Sequence, residues 1–124
     1  MMNMRDFFAQ DGVGVFSTSG RDGSVNAAVY ARPHIVDEAT VAWGMTDGRT
    51  FANMRENPQA SYIFRTGSHG YSGVRLTLKL LHIEDEGQML ATIREKTASI
   101  VSPAAAQAVR HVAYFTVVEI RSLV

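Results

Sequence analysis

A chain of 124 residues with 46% hydrophobic content can bury a core of its own and is too apolar to stay disordered. Its 12 Lys plus Arg balance 12 Asp plus Glu, so neither the basic footprint of a nucleic-acid binder nor the polybasic segment of a lipid-surface protein is present. Without cysteine, disulfides, thiolate catalysis, Cys-ligated zinc and iron–sulfur clusters are excluded, and redox chemistry has to come from a bound cofactor. Met1 to Gln10 carries Arg5 and Asp6 and no long apolar stretch, so it does not read as a signal peptide, and no run approaches membrane-spanning length. One cytoplasmic domain over 1–124 is expected.

Met4 to Gln10 has the pattern of a short helix, with Phe7 and Phe8 as apolar anchors and Gly12 as its stop. Val13 to Thr18 is a strand, and Ser19 to Gly23 a turn in which Asp22-Gly23 is a strong hairpin signal. Ser24 to Arg32 follows as a strand, with Val25, Ala27, Val29 and Ala31 on one face and Asn26, Ala28, Tyr30 and Arg32 on the other. Pro33 ends it or marks a bulge. His34 to Val36 is a short extension, and Asp37-Glu38 turns the chain into a strand over Thr40 to Met45. A short helix over 49–57 stops at Pro58, because the residue before a proline is disfavoured in the helical conformation.

Gln59 to Arg65 alternates Ala60, Tyr62 and Phe64 against Ser61, Ile63 and Arg65 as a strand, and Thr66 to Gly70 is a loop. Tyr71 to Glu84 is long enough for one bent strand or two joined at a bulge, and its stretch Leu76 to Leu81 is apolar enough to lie in a core. Asp85 to about Ser99 sets Met89, Leu90, Ile93, Thr97 and Ile100 at helical spacing. Ser102-Pro103-Ala104-Ala105-Ala106 is ambiguous, a loop or a second short helix. His111 to Arg121 alternates as a final strand, apolar on both faces, which calls for cover on both sides. Antiparallel hairpins dominate, so the expected fold is mainly β with short helices. About six or more strands in so small a domain should close into a barrel to remove exposed edges.

The densest chemical signal lies over 43–58. The strand ending Trp43-Gly44-Met45 stops at Thr46-Asp47-Gly48, and Arg49 and Thr50 then open the short helix. A helix N-terminus presents unpaired N–H groups and partial positive charge. Arg49 adds a forked cation and Thr50 a hydroxyl, a set that suits a phosphate monoester. An ordinary surface turn followed by a capped helix has the same appearance.

Taken in order, Gly14-Val15-Phe16-Ser17-Thr18, Asp22-Gly23-Ser24-Val25-Asn26, the Arg49 to Pro58 stretch and Gly70-Tyr71-Ser72-Gly73-Val74-Arg75-Leu76 resemble the FMN-binding split-barrel family, the pyridoxamine 5'-phosphate oxidase-like proteins. The resemblance covers roughly Val13 to Ile120. It implies an antiparallel split β-barrel with non-covalent FMN. The isoalloxazine would lie against the backbone of Asn26, Ala27, Ala28, Val29 and Tyr30 and of Trp43, Gly44, Met45 and Thr46. Arg49 and Thr50 would hold the phosphate. The resemblance also implies a homodimer with flavins at the subunit interface, and an oxidoreductase or electron-transfer role with a small-molecule or protein redox partner. True pyridoxamine phosphate oxidases carry a further C-terminal segment with substrate-binding arginines. This chain ends at Val124 directly after its last strand, so vitamin B6 oxidation is not expected. The alternatives are a non-catalytic FMN or ligand carrier and a split-barrel relative that binds deazaflavin F420 or haem.

Asn53 shares a helix face with Arg49 and Thr50 and either reaches the phosphate or satisfies a loop carbonyl. Arg55 lies off that face and reads as a surface ion pair. Asn26 and Tyr30 share a strand face with Arg32, suited to the flavin ring or to solvent, and Trp43 either flanks the ring or joins the core. His34, His69, His82 and His111 have no paired ligand spacing, so no metal site is expected and ordinary solvated or capped imidazoles are their plain reading. His69, in a glycine-flanked loop, is the one histidine placed to carry a proton near a flavin.

Overall fold

The structure, a computed structural model, describes residues 3–124. Met1 and Met2, part of the segment read above as lacking a signal peptide, lie outside the described residues. The elements are α1 (Met4–Phe7), β1 (Gly12–Ser19), β2 (Val25–Tyr30), β3 (His34–Ile35), β4 (Thr40–Met45), α2 (Arg49–Glu56), β5 (Gln59–Thr66), β6 (Gly73–Glu84), α3 (Gln88–Ile100), α4 (Pro103–Ala108) and β7 (His111–Ser122). All seven strands form one antiparallel sheet in the order β2-β1-β5-β6-β7-β4-β3. This is the curled half-barrel of the split-barrel fold. The expected closure by strand pairing does not occur, because β2 and β3 are the sheet's ends.

Side chains close the gap instead. Tyr62 on β5 donates its hydroxyl to the carbonyls of Tyr30 (3.2 Å) and Ala31 (3.0 Å), and the Trp43 indole N–H on β4 donates to Ala31 (2.8 Å). Gly14 makes this possible, since a Cβ there would sit 1.9 Å from the Tyr62 hydroxyl. The end of β2 is thereby fastened across the split to β4 and β5. Around these bonds Phe16 packs against Trp43, Tyr30, Phe115 and Tyr62 with ring centroids 4.9–6.2 Å apart. Edge-to-face and tilted pairs of this kind stabilise a core beyond the area they bury.

α1 is shorter than the sequence suggests. Asn3 caps it by accepting from the N–H groups of Arg5 and Asp6. The chain turns after Phe7 because Phe8 is drawn into the ring cluster, 5.2 Å from Phe64. Gly12 is the first residue of β1, paired with Thr66, and not a helix stop. β2 is trimmed to Val25–Tyr30, and its half-buried face is Asn26, Ala28 and Tyr30. Val25 and Val29 point outward, 77% and 75% exposed.

β6 is a single strand with two register shifts, between Thr77 and Leu78 and between Leu80 and His82. Val118 and Leu81 are the residues that the pairing skips there, and both project outward, 61% and 56% exposed. A bulge leaves its extra residue outside the alternation, so Leu81 is not core as expected. β7 is buried on both sides over Val112 to Phe115. Its second cover comes from the same chain. α3 and α4 pack Leu90, Ile93 and Val109 on Ala42, Val112 and Tyr114. Ser102 caps α4 by accepting from the Ala105 N–H, which resolves the ambiguous alanine stretch as a helix. α3 ends with Ile100 79% exposed, not packed as its spacing implied.

Candidate functional site

α2 begins without a side-chain cap. Gly48 at the N-cap is extended and offers no oxygen to the first-turn N–H groups. Arg49, the next residue, is exposed and makes no ion pair among the described residues. The N-terminal partial charge and the guanidinium therefore point the same way with nothing opposing them inside α2. They border an open cavity of about 790 Å³ between the β1–β2 turn and the β4–α2 loop, lined by Ser24, Val25, Asp47, Gly48, Arg49 and Asn53 among others.

Two buried residues hold α2 in this place. Thr50 accepts from the Asn26 amide of β2 at 3.3 Å, and the Asn53 amide donates to the Thr18 hydroxyl of β1 at 3.2 Å. Thr50, Asn53 and Thr18 are the buried polar residues of the fold. Leaving any one unpaired costs about 1–3 kcal/mol, so α2's orientation over the two strands is specified by them. Asn53 thus satisfies Thr18 and not a loop carbonyl. Burial pushes the Tyr30 phenol above its ordinary range, and the Thr50 side chain beside it acts in the opposite sense.

The structure brings Asn26, Arg49, Thr50 and Asn53 together at one end of the split. Asn26 and Tyr30 lie on the half-buried face of β2, while Ala27 and Val29 are exposed. Trp43 and Met45 turn their side chains into the core, 2% and 1% exposed, and Thr46 is exposed in the loop. Gly44 lies beneath α3, where an added Cβ would meet Ile93 Cγ2 at 2.6 Å and Val109 Cγ1 at 2.8 Å. What β2 and β4 offer to a ligand is backbone. β2 pairs with β1 only, and β4 pairs with β3 only at Val41 and Ala42. Both strands therefore keep lengths of unpaired edge beside the split, each with N–H and C=O groups to give.

His111 is the site residue that sequence reasoning missed. Its Nε2 lies 2.5 Å from Asp47 and its Nδ1 2.6 Å from Asp85, and its ring stacks on Phe51 of α2 at 3.8 Å. Burial by itself would push the imidazolium down. The hydrogen bonds to Asp47 and Asp85 outweigh it and hold the His111 pKa above the ordinary value. Asp47 is lowered in turn, first by that hydrogen bond to His111, with Arg110 also close at 3.6 Å. The carboxylate nearest Arg49 in sequence is thus neutralised from behind. Asp47 and Asp85 come from separate loops and His111 opens β7, and no periodicity announces their meeting.

Arg55 is not in a surface ion pair but lies 5.5 Å over the Phe51 ring. His69 sits in the β5–β6 loop beside Ser68, near the Gly12 end of β1. α2 is fastened at the Thr18 end, about 20 Å along the strand at 3.3 Å per residue, so His69 is remote from Arg49. Among the described residues no cluster of His, Asp and Glu has a metal-binding arrangement, and no helix is long and apolar enough to cross a membrane.

No protein-family model matches the chain, and no curated protein sequence matches it. Solved structures do. An FMN-binding protein from Syntrophomonas wolfei subsp. wolfei superposes with a TM-score of 0.85 at 18% identity, over 98% of this chain and 84% of its own. An F420 reductase superposes at 0.70 with 16% identity, over 98% of each chain. HutZ, the heme storage protein from Vibrio cholerae, superposes at 0.66 with 11% identity, over 96% of this chain and 91% of its own. The split-barrel fold is common to all three, and it is the fold that the sequence resemblance implied.

Proposed function

We propose that this protein binds FMN non-covalently as a homodimer and serves as an oxidoreductase or electron-transfer protein. The observation that carries the reading is the uncapped start of α2 with Arg49 unpaired beside it, facing the cavity at the β1–β2 turn. The residues present fit a phosphate monoester. The first-turn N–H groups and Arg49 supply donors and charge, and Thr50 and Asn53 fix the helix that carries them. The unpaired edges of β2 and β4 supply donors and acceptors to the rim of a planar ring. Bound FMN would supply the one- and two-electron chemistry, and the chain its placement and the surrounding field.

The dimer reading rests on the outer face of the sheet. Val29, Val15 and Ile63 stand in register across β2, β1 and β5, with Val25 further along β2. Val25, Val29, Val13 and Ile63 are 77%, 75%, 41% and 38% exposed. A two-fold contact would cover this row with its own copy. The redox partner, small molecule or protein, would approach the side left open.

Matches to an F420 reductase and a heme storage protein set the rival cofactors. The visible absorption spectrum of the freshly purified protein separates them. The two-band spectrum of an oxidised flavin is the expected result. A Soret band, or the single band of a deazaflavin, would replace FMN by the cofactor seen. Anaerobic bleaching by NADH or NADPH would establish turnover, and its absence would leave a carrier.

A further inference from the structure

A second cavity, of about 490 Å³, opens where β2 leaves the barrel, between residues 30–34, β4 at Trp43 and Gly44, and the outer half of α3. Its walls are apolar, with Phe8, Tyr30, Trp43 and Ile93 among them. At its mouth Ile100 and Val101 are 79% and 69% exposed, apolar surface that the chain itself leaves uncovered. The basic residues that line it are Arg32, His34 and Lys96, and no aspartate or glutamate is among the lining residues.

These three bases are not equivalent. Arg32 spends Nη1 on the carbonyls of Phe8 (3.3 Å) and Gln10 (2.8 Å), with Asp11 at 4.0 Å. His34 is half-buried, and burial, together with the nearby Lys96 charge, holds it below the ordinary imidazole range and so neutral. Lys96 makes no ion pair among the described residues. One unopposed cation therefore faces an apolar chamber of a size that takes a one- or two-ring molecule.

We propose that this cavity binds a small apolar monoanion, an aromatic or alicyclic carboxylate, with its ring against Tyr30 and Ile100 and its carboxylate at Lys96. A phosphate dianion suits the chamber less well, because its second charge would be desolvated against apolar walls without a partner. The cavity shares Tyr30, Trp43 and Gly44 with the strands assigned above to the flavin ring. That this carboxylate is a redox substrate rests on the flavin reading; that it binds does not.

Trp43 is the chain's sole tryptophan and lines the cavity, so its emission reports occupancy. The test titrates the full-length protein with phenylpropionate and with its neutral isostere phenylpropionamide, following Trp43 emission and heat. It is repeated in Lys96→Gln and Lys96→Arg, with FMN affinity measured on the same samples. Lys96 is solvent-exposed, so the gain is that of a screened pair. The acid should bind saturably and about fivefold tighter than the amide. Lys96→Gln should abolish that preference, Lys96→Arg should keep it, and FMN affinity should not change. Absence of saturable binding, equal affinity for acid and amide, or a preference that survives Lys96→Gln would each overturn the proposal. Acid binding without FMN binding would remove the flavin reading and leave the cavity assignment standing.

Discussion

Gly44→Ala is a small change whose sign the structure decides. In a strand, glycine to alanine lowers the entropy of the unfolded chain and by itself stabilises by about 0.4–1 kcal/mol. At Gly44 the new methyl meets Ile93 Cγ2 at 2.6 Å and Val109 Cγ1 at 2.8 Å. Carbon atoms rest about 3.5–4.0 Å apart, so both contacts are short by about 1 Å. Neither neighbour yields easily. Both are β-branched, with Cγ fixed directly to Cβ, and Ile93 sits in α3, where one rotamer dominates. The relief has to come from moving α3 and the end of α4 at Val109 away from β4, an overpacking cost of about 1–3 kcal/mol. Net destabilisation of about 1–2 kcal/mol follows. For a chain of 124 residues, about 2.1 cal/mol/K per residue gives an unfolding entropy near 260 cal/mol/K, or about 4 °C per kcal/mol. Thermal melts should therefore drop by about 4–8 °C. Ile93→Ala should cost less in the Gly44→Ala background than in the wild type, because it removes the clash. A melt that rises on Gly44→Ala, or strict additivity of the two substitutions, would refute the placement of α3 against β4.

Arg49→Ala removes an exposed charge-assisted contact at the low end of about 1.5–3 kcal/mol, so FMN affinity should fall roughly tenfold with the melting temperature of the apoprotein unchanged. Flavin fluorescence titration checks it, and an unchanged affinity would move the phosphate elsewhere. His111 has its pKa raised in the fold, so its stabilising contribution is complete below the ordinary value of 6.5 and is lost as pH rises through the folded value. The melting difference between wild type and Asp85→Asn should shrink over that rise, and a difference constant with pH would show that the imidazolium does not link these loops. Val29→Glu should turn the proposed dimer into a monomer with the fold kept, as read by sedimentation and circular dichroism. A Val29→Glu dimer would put the interface on another face.

The strand order along the chain was legible because each strand carries its own alternation. Ala60, Tyr62 and Phe64 are buried as the alternation of β5 requires. Pro58 stops α2 where the local sterics say it should. What failed was tertiary. The double burial of β7 is legible in its alternation, and the identity of its second cover, α3 and α4, is not. Leu81 and Val118 were misplaced or unmarked because a bulge shifts register without a sequence signature. At the candidate site, Arg49 and Thr50 are legible as a pair because they are adjacent at a helix start. His111 could not, since its partners Asp47 and Asp85 are distant in the chain and assembled only by the fold.

The start of α2 with Arg49 is proposed to hold a phosphate monoester. Parallel titration of the apoprotein with FMN and riboflavin tests it most directly, since the two ligands share the ring and differ in the phosphate. FMN should bind at least about tenfold tighter, with the preference lost in Arg49→Ala. Equal affinities, or a preference that Arg49→Ala leaves intact, would contradict it.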